Sequence, residues 1–218
     1  MTETQSCFKM LAAGDVDALN RLLVQDRSVA GARDASGVSL LMHAVYRGHR
    51  DVANTIAANK ELDIFESAAL GRQDRLKECC RDKTAVNSYS ADGFTALHFA
   101  CYFGQPEAAR VLIDNDAPVD AVARNPTKVM PLHSTASARN LEAARLLLQH
   151  GAPVNARQQG GWAPIHAAAQ NGDRAMVELF LQHGADPRVT NDEGKTPASV
   201  ANEKGHTELA RMLEDSSQ

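Results

Sequence analysis

"APIHAAAQNG", from Ala163 to Gly172, sets one histidine among small apolar residues and closes on glycine. Taken alone, His166 suits a catalytic base, a metal ligand or a piece of architecture. The phrase returns, however, as "TALHFACYFG" from Thr95 to Gly104 and as "MPLHSTASAR" from Met130 to Arg139. A side chain that recurs at a fixed period serves something every unit needs, whereas catalysis needs a single site. Aligned on the closing residue, Gly14, Gly48, Gly71, Gly104, Gly172 and Gly205 fall into register, with Arg139 in the fifth place. Six residues before each stand Phe8, Met42, Phe65, His98, His133, His166 and Ser199, at spacings of 34, 23, 33, 35, 33 and 33. Periods in this range mark a solenoid of stacked units.

Each unit reads as two short helices. Thr95 can cap the first helix of its unit, and Gly104 can end it in the left-handed conformation that glycine adopts cheaply. Second helices follow as "PEAARVLI", "LEAARLLL" and "AMVELFL", whose apolar residues recur at i, i+3 and i+4 and form one buried stripe. Gly151 and Gly184 stop two of them within "HGA". Turn-rich segments such as "NSYSADGF" and "RVTNDEGK" precede the first helices and suit hairpin loops. No strand pattern of useful length is present.

This pattern resembles the ankyrin repeat, whose signature is Thr-Pro-Leu-His-x-Ala, then Gly, and later Leu-Leu-x-x-Gly-Ala. The matching residues are "TALHFA", "MPLHSTA", "APIHAAA" and "TPASVA", with "LLLQHGAPVN" and "LFLQHGADP" completing two units, and they run from about Cys7 to Leu213. The resemblance implies an all-α solenoid of about seven helix pairs with short hairpin fingers. We expect a single domain over 1–218, with units near 5–34, 35–61, 62–88, 89–122, 123–155, 156–188 and 189–218. Fingers are expected near Ala35, Ala91, Pro126, Gln159 and Asp192. Unit three should lack one, because the interval of 23 is about a finger too short and Asp63 and Glu66 form an Asp-x-x-Glu capping box. Unit five departs the other way. Its "ARNPTKVM" loop is longer and carries Pro126, and it marks either a binding face or tolerated surface drift. Arg139 in place of glycine leaves the end of that unit's first helix to a different geometry or to Asn140.

In this family the motif histidine bonds the threonine that opens the motif and nearby backbone. Thr95 and His98 keep both partners, whereas Met130 and Ala163 replace the threonine ahead of His133 and His166. All three histidines therefore read as architecture. His150 and His183 lie at second-helix ends, where the helix dipole alone favours them. Cys79 and Cys80 are adjacent, so on a helix they point about 100° apart and cannot share a close tetrahedral metal with one neighbour. No phosphate loop, nucleophile elbow or paired acid motif is present, so no catalytic residue, cofactor or metal is expected. Net charge is -4 with Lys and Arg scattered, which gives no basic field for nucleic acid or an anionic membrane. The stretch "MTETQSCFKMLAAG" has no basic region followed by an apolar run, so no secretion signal is expected, and no apolar run approaches the roughly 20 residues a bilayer requires. With four cysteines in no pairing pattern, these features point to a soluble protein in a reducing, cytoplasmic setting.

Ankyrin-like stacks bind partners, usually proteins, through finger tips and the concave face of the first helices. Carried over by position, the contact residues implied by the resemblance are Tyr46 and Arg47 in unit two, and Phe94, Phe99, Tyr102 and Phe103 in unit four. Ser134, Ser137 and Ala138 follow in unit five. Unit six adds Gln159, Gly160, Trp162, Ala167, Gln170 and Asn171. Six of the ten aromatics fall at these positions, and clustered aromatics are the composition of interface hot spots. Phe99 and Phe103 fit equally well as side chains packed between neighbouring units. The expected function is that of a monomeric, non-catalytic protein–protein interaction module (adaptor, inhibitor or scaffold). An enzyme or metal-binding protein built on the same frame is the alternative.

Overall fold

Helices this short are marginal alone in water, so each must be capped and buried against neighbours. A computed structural model describing residues 3–216 shows fifteen α-helices and no strand among those residues. They come in pairs: α1 (Glu3–Ala13) with α2 (Val16–Gln25), α3 (Leu40–Tyr46) with α4 (Arg50–Ala57), and α5 (Ile64–Leu70) with α6 (Gln73–Cys79). A single turn, α7 (Lys83–Val86), intervenes. Then come α8 (Ala96–Tyr102) with α9 (Pro106–Ile113), α10 (Pro131–Ala138) with α11 (Leu141–Gln149), α12 (Pro164–Gln170) with α13 (Arg174–Gln182), and α14 (Pro197–Glu203) with α15 (Thr207–Asp215). First helices stack on first helices from α1 to α14, and second helices form the other layer. Buried Ala44, Ala69, Ala100, Ala136, Ala168 and Ala201 let the first helices approach closely. Leu19, Ile56, Leu76, Leu112, Leu147 and Phe180 fill the space beneath the second helices. No helix among the described residues is long and apolar enough to cross a membrane.

The fingers are reverse turns closed by two backbone bonds. Gly37 N–H donates to Asp34 C=O at 3.0 Å and Asp34 N–H to Val38 C=O at 2.9 Å, and the same pair recurs at Ser90, Gln158 and Asn191. In unit five the closing bond runs from Ala123 N–H to Val129 C=O at 2.8 Å, around the longer loop. Successive fingers are joined edge to edge by single backbone bonds: Arg124 to Gly93 (2.8 Å), Gln159 to Thr127 (3.0 Å) and Asp192 to Gly160 (2.9 Å).

Six residues separate α4 from α5, and no hairpin lies between them. Side chains span the gap instead. Arg33 donates to Gly37 C=O through Nη1 and to the Asp63 carboxylate through Nη2, both at 2.9 Å. Asp63 caps α5 reciprocally with Glu66, as the Asp-x-x-Glu spacing predicts. Glu66 is fully buried, and Lys60 Nζ lies 2.7 Å from its Oε1.

The structure corrects the register of this unit. From cap to left-handed residue, Ser39 to Gly48, Thr95 to Gly104 and Ala163 to Gly172 each span nine positions, whereas Asp63 to Gly71 spans eight. Counting back six from Gly71 lands on Phe65, yet Glu66 holds the third helical position that His98 holds in α8. In unit five Arg139 itself adopts the left-handed conformation (φ 57°), and Asn140 caps α11.

Asp116 is a second non-glycine residue with positive φ (68°), at the helix end where Gly151 and Gly184 stand in later units. The backbone bonding is the same in all three, with Ala117 N–H to Leu112 C=O (3.0 Å) matched by Ala152 to Leu147 and Ala185 to Phe180. Asp116→Gly is expected to stabilise the protein by roughly 0.5–1 kcal/mol by relieving the side chain's clash with its own backbone. The ion pair with Lys83 that it removes is exposed and worth little. Urea unfolding measures the change, and a loss of stability would mean that the Lys83 contacts outweigh the strain.

Candidate functional site

His98, His133 and His166 each use both ring nitrogens. His98 Nδ1 accepts from the Thr95 amide (3.2 Å) and hydroxyl (2.8 Å), and Nε2–H donates to Val129 C=O at 3.1 Å. Without a threonine, His133 Nδ1 still accepts from the Met130 amide (3.2 Å), and His166 Nδ1 from the Ala163 amide (3.1 Å). Their Nε2–H groups reach forward, His133 to Ala156 C=O (3.1 Å) and Trp162 C=O (3.2 Å), His166 to Lys195 C=O (3.1 Å). Each imidazole thus ties the start of its own helix to the finger of the next unit. One nitrogen accepts and the other donates, which is the neutral form. Burial pushes His98 and His133 down to about 4 and lowers His166 as well. No lone pair is left over for a substrate proton or a metal.

Other titratable groups are similarly engaged. His150 and His183 bond the Leu146 and Leu179 carbonyls at their helix ends, each at 2.9 Å, and His43 lies 2.7 Å from the Asp34 carboxylate. Among the described residues no three His, Cys, Asp or Glu side chains are grouped to hold a metal.

The aromatics come together in one place. Phe99 lies at its centre, with ring centroids 5.7 Å from Phe94, 6.1 Å from Phe65, 6.3 Å from Phe103 and 6.4 Å from Tyr46. Tyr102 meets Phe103 edge-on at 5.2 Å. Phe99 is only 3% exposed, so of the two readings open for it the packed one holds, and it is corrected from contact residue to floor. Phe94 and Phe103 are half-buried, while Tyr46 and Tyr102 are 41% and 51% exposed. The Tyr46 hydroxyl donates to the Asp92 carboxylate, across the place where unit three has no finger.

Beside this cluster the side chains shrink. The residue after the motif histidine is Phe99 in unit four and Ser134 in unit five, and three positions on Tyr102 gives way to Ser137. The step from aromatic to serine leaves a recess of about 310 Å³, walled by Tyr46, Phe94, Phe99 and Tyr102 on one side and by Thr127, Val129, Ser134 and Ser137 on the other. Thr127 and Val129 belong to the longer unit-five loop, which reads from sequence as a candidate binding face, though neither is named there as a contact residue. Their signal was the length of the unit-five loop, which carries them over the recess.

The remaining expected contact residues lie elsewhere. Arg47 is exposed, with Nη1 3.0 Å from His43 Nδ1. Trp162 is half-buried and edge-on to His166 at 5.4 Å, and it does not line the recess. Gln159 and Gln170 are exposed, and half-buried Asn171 donates its amide to Ala136 C=O at 3.0 Å.

Comparison with known proteins gives the same picture. The family described as ankyrin repeats (3 copies) matches residues 64–158 and 132–217. BCL-6 corepressor-like protein 1 of Homo sapiens is 34% identical over 113 residues, covering 50% of this chain and 6% of that protein. A putative ankyrin repeat protein of Rickettsia felis is 27% identical over 150 residues, 69% of this chain and 42% of its own. The Neurogenic locus Notch protein of Drosophila melanogaster is 31% identical over 135 residues, 61% of this chain and 5% of its own. This chain thus spans less than half the length of each of these relatives. With more than half of its residues matched, and with paired helices, glycine-closed fingers and histidine-tied caps in place, the chain belongs to the ankyrin-repeat family.

Proposed function

We propose that the protein is a non-catalytic binding module, acting as adaptor, inhibitor or scaffold. Its protein partner docks on the face made by the first helices and finger tips. The observation that carries this reading is the aromatic recess. Two half-exposed tyrosines flank an apolar hollow whose far wall is small and hydroxyl-bearing, a form suited to a partner's anchoring side chain. The walls on α8 and α10 stand on helices tied down by the forward histidine bonds, so little ordering entropy opposes binding there. Gln159, Trp162, Gln170 and Asn171 extend the same surface toward unit six. The module acts as a monomer, and the thiols of Cys79, Cys80 and Cys101, none of them in a disulfide, suit the reducing cytoplasm.

The test begins with affinity capture of a partner from the native host's lysate, followed by titration with purified variants. Tyr102→Ala is expected to weaken binding by about 2 kcal/mol with little loss of stability. Arg211→Ala on α15, outside the recess, serves as control. Unchanged binding by Tyr102→Ala overturns the site, and a loss seen only with Trp162→Ala moves its centre to unit six.

A further inference from the structure

A second recess lies at the far end of the first helices from the fingers, beside the shortened unit three. There Gly71 directly follows its helix and comes one residue sooner after the cap than Gly48 and Gly104 do in theirs. The hollow is about 420 Å³. Its apolar lining is Val45, Ala69, Leu70 and Phe103, and its charged lining is Arg50 and Arg72, with no carboxylate.

Arg50 and Arg72 both line this hollow. Arg50 and Asn54 sit four apart on α4 and share a face of that helix. Arg72 Nη2 donates to Asn54 Oδ1 at 2.8 Å, which brings its guanidinium to the same face. The acids nearest in sequence lie outside the hollow: Asp51 follows Arg50 on α4, and Asp74 lines a neighbouring one. Gln105 reaches across to Ala69 C=O (3.4 Å) and lies so close to Gly71 that a Cβ there would meet its Oε1, so the rim is narrow.

Two like charges lining one hollow with an apolar floor call for an anion, and guanidinium groups favour oxyanions, which they grip with paired N–H donors. We infer that this recess binds a small organic oxyanion, a phosphate monoester or carboxylate on a flat apolar stem. Arg50 and Arg72 hold the charged head, while Leu70 and Phe103 take the stem.

The test is an NMR titration of the full chain at low ionic strength, following the Gly48, Arg72 and Gln105 amides. Phenyl phosphate and benzoate are the probes, and inorganic phosphate reports on the head alone. Phenyl phosphate is expected to saturate at concentrations about fivefold lower than inorganic phosphate, the difference measuring the apolar floor. The double variant Arg50→Gln, Arg72→Gln should weaken it by about tenfold or more, while Arg211→Gln leaves it unchanged. Shifts that follow ionic strength without saturating, equal response to inorganic phosphate, or full binding by the double variant each overturn the inference.

Discussion

Lys60→Ala is expected to destabilise the protein by about 3–5 kcal/mol, the usual cost of stranding a buried charge. Glu66 has no exposure, and among the described residues Lys60, 14% exposed, is the one cation paired with it. The carboxylate divides its work, Oε1 meeting the ammonium at 2.7 Å and Oε2 accepting the Asp63 amide at 3.2 Å. Removing Lys60 leaves the second bond in place and the charge unbalanced. Glu66→Gln should restore most of the loss in the Lys60→Ala background, because a glutamine still serves the capping box and carries no charge. Urea unfolding of both single variants and the double variant measures the coupling. A single-variant loss below about 1 kcal/mol, or no recovery in the double variant, would show that water reaches Glu66 and that the pair is incidental.

Acidification is expected to unfold the stack well before its carboxylates are fully protonated. His98 and His133 are held near 4 by burial, against 6.5 for a free imidazole. Above about pH 6.5 both folded and unfolded chains carry them neutral, and their contribution to stability is complete. As pH falls below that value the unfolded chain takes up protons that the folded chain refuses until about pH 4, so stability is lost across this window. Two such groups give a slope of roughly 2–3 kcal/mol per pH unit near pH 5, to which His166 adds in the same direction. Urea midpoints between pH 8 and pH 5 measure it. The midpoint should hold from 8 to 7 and then fall, and His98→Gln should remove about one proton from the slope. A flat profile down to pH 5 would mean that the imidazoles are open to water.

Much of this architecture could be read in the residues because it is local and periodic. Thr95, Ser39 and Asp63 announce helix starts by what they can bond three residues on, and Gly48, Gly104 and Gly172 announce ends by the backbone they permit. What escaped the reading depends on neighbours about thirty residues away. The forward bond from His98 to Val129 is one such case, since nothing near His98 names its acceptor. The single residue missing between Asp63 and Gly71 is another, hidden because the missing finger already explained a short interval. Phe99 and Tyr102 occupy contact positions of one helix, and only the packing of Phe65, Phe94 and Phe103 around Phe99 decides which of the two meets water.

The finger left out of unit three also bears on how the stack can bend. From Gly93 to Asp192 the fingers form a continuous stay along one edge, one backbone bond per junction, and the histidines rivet that stay to the helices beneath. Between Gly37 and Ser90 the helices continue but the stay does not, and its place is taken by the longer, softer reach of Arg33 to Asp63 and Tyr46 to Asp92. A beam braced along one edge flexes where the brace is cut. Tyr46, which forms one wall of the aromatic recess, therefore sits on the part of the stack that side chains, rather than finger-to-finger backbone bonds, join to the rest.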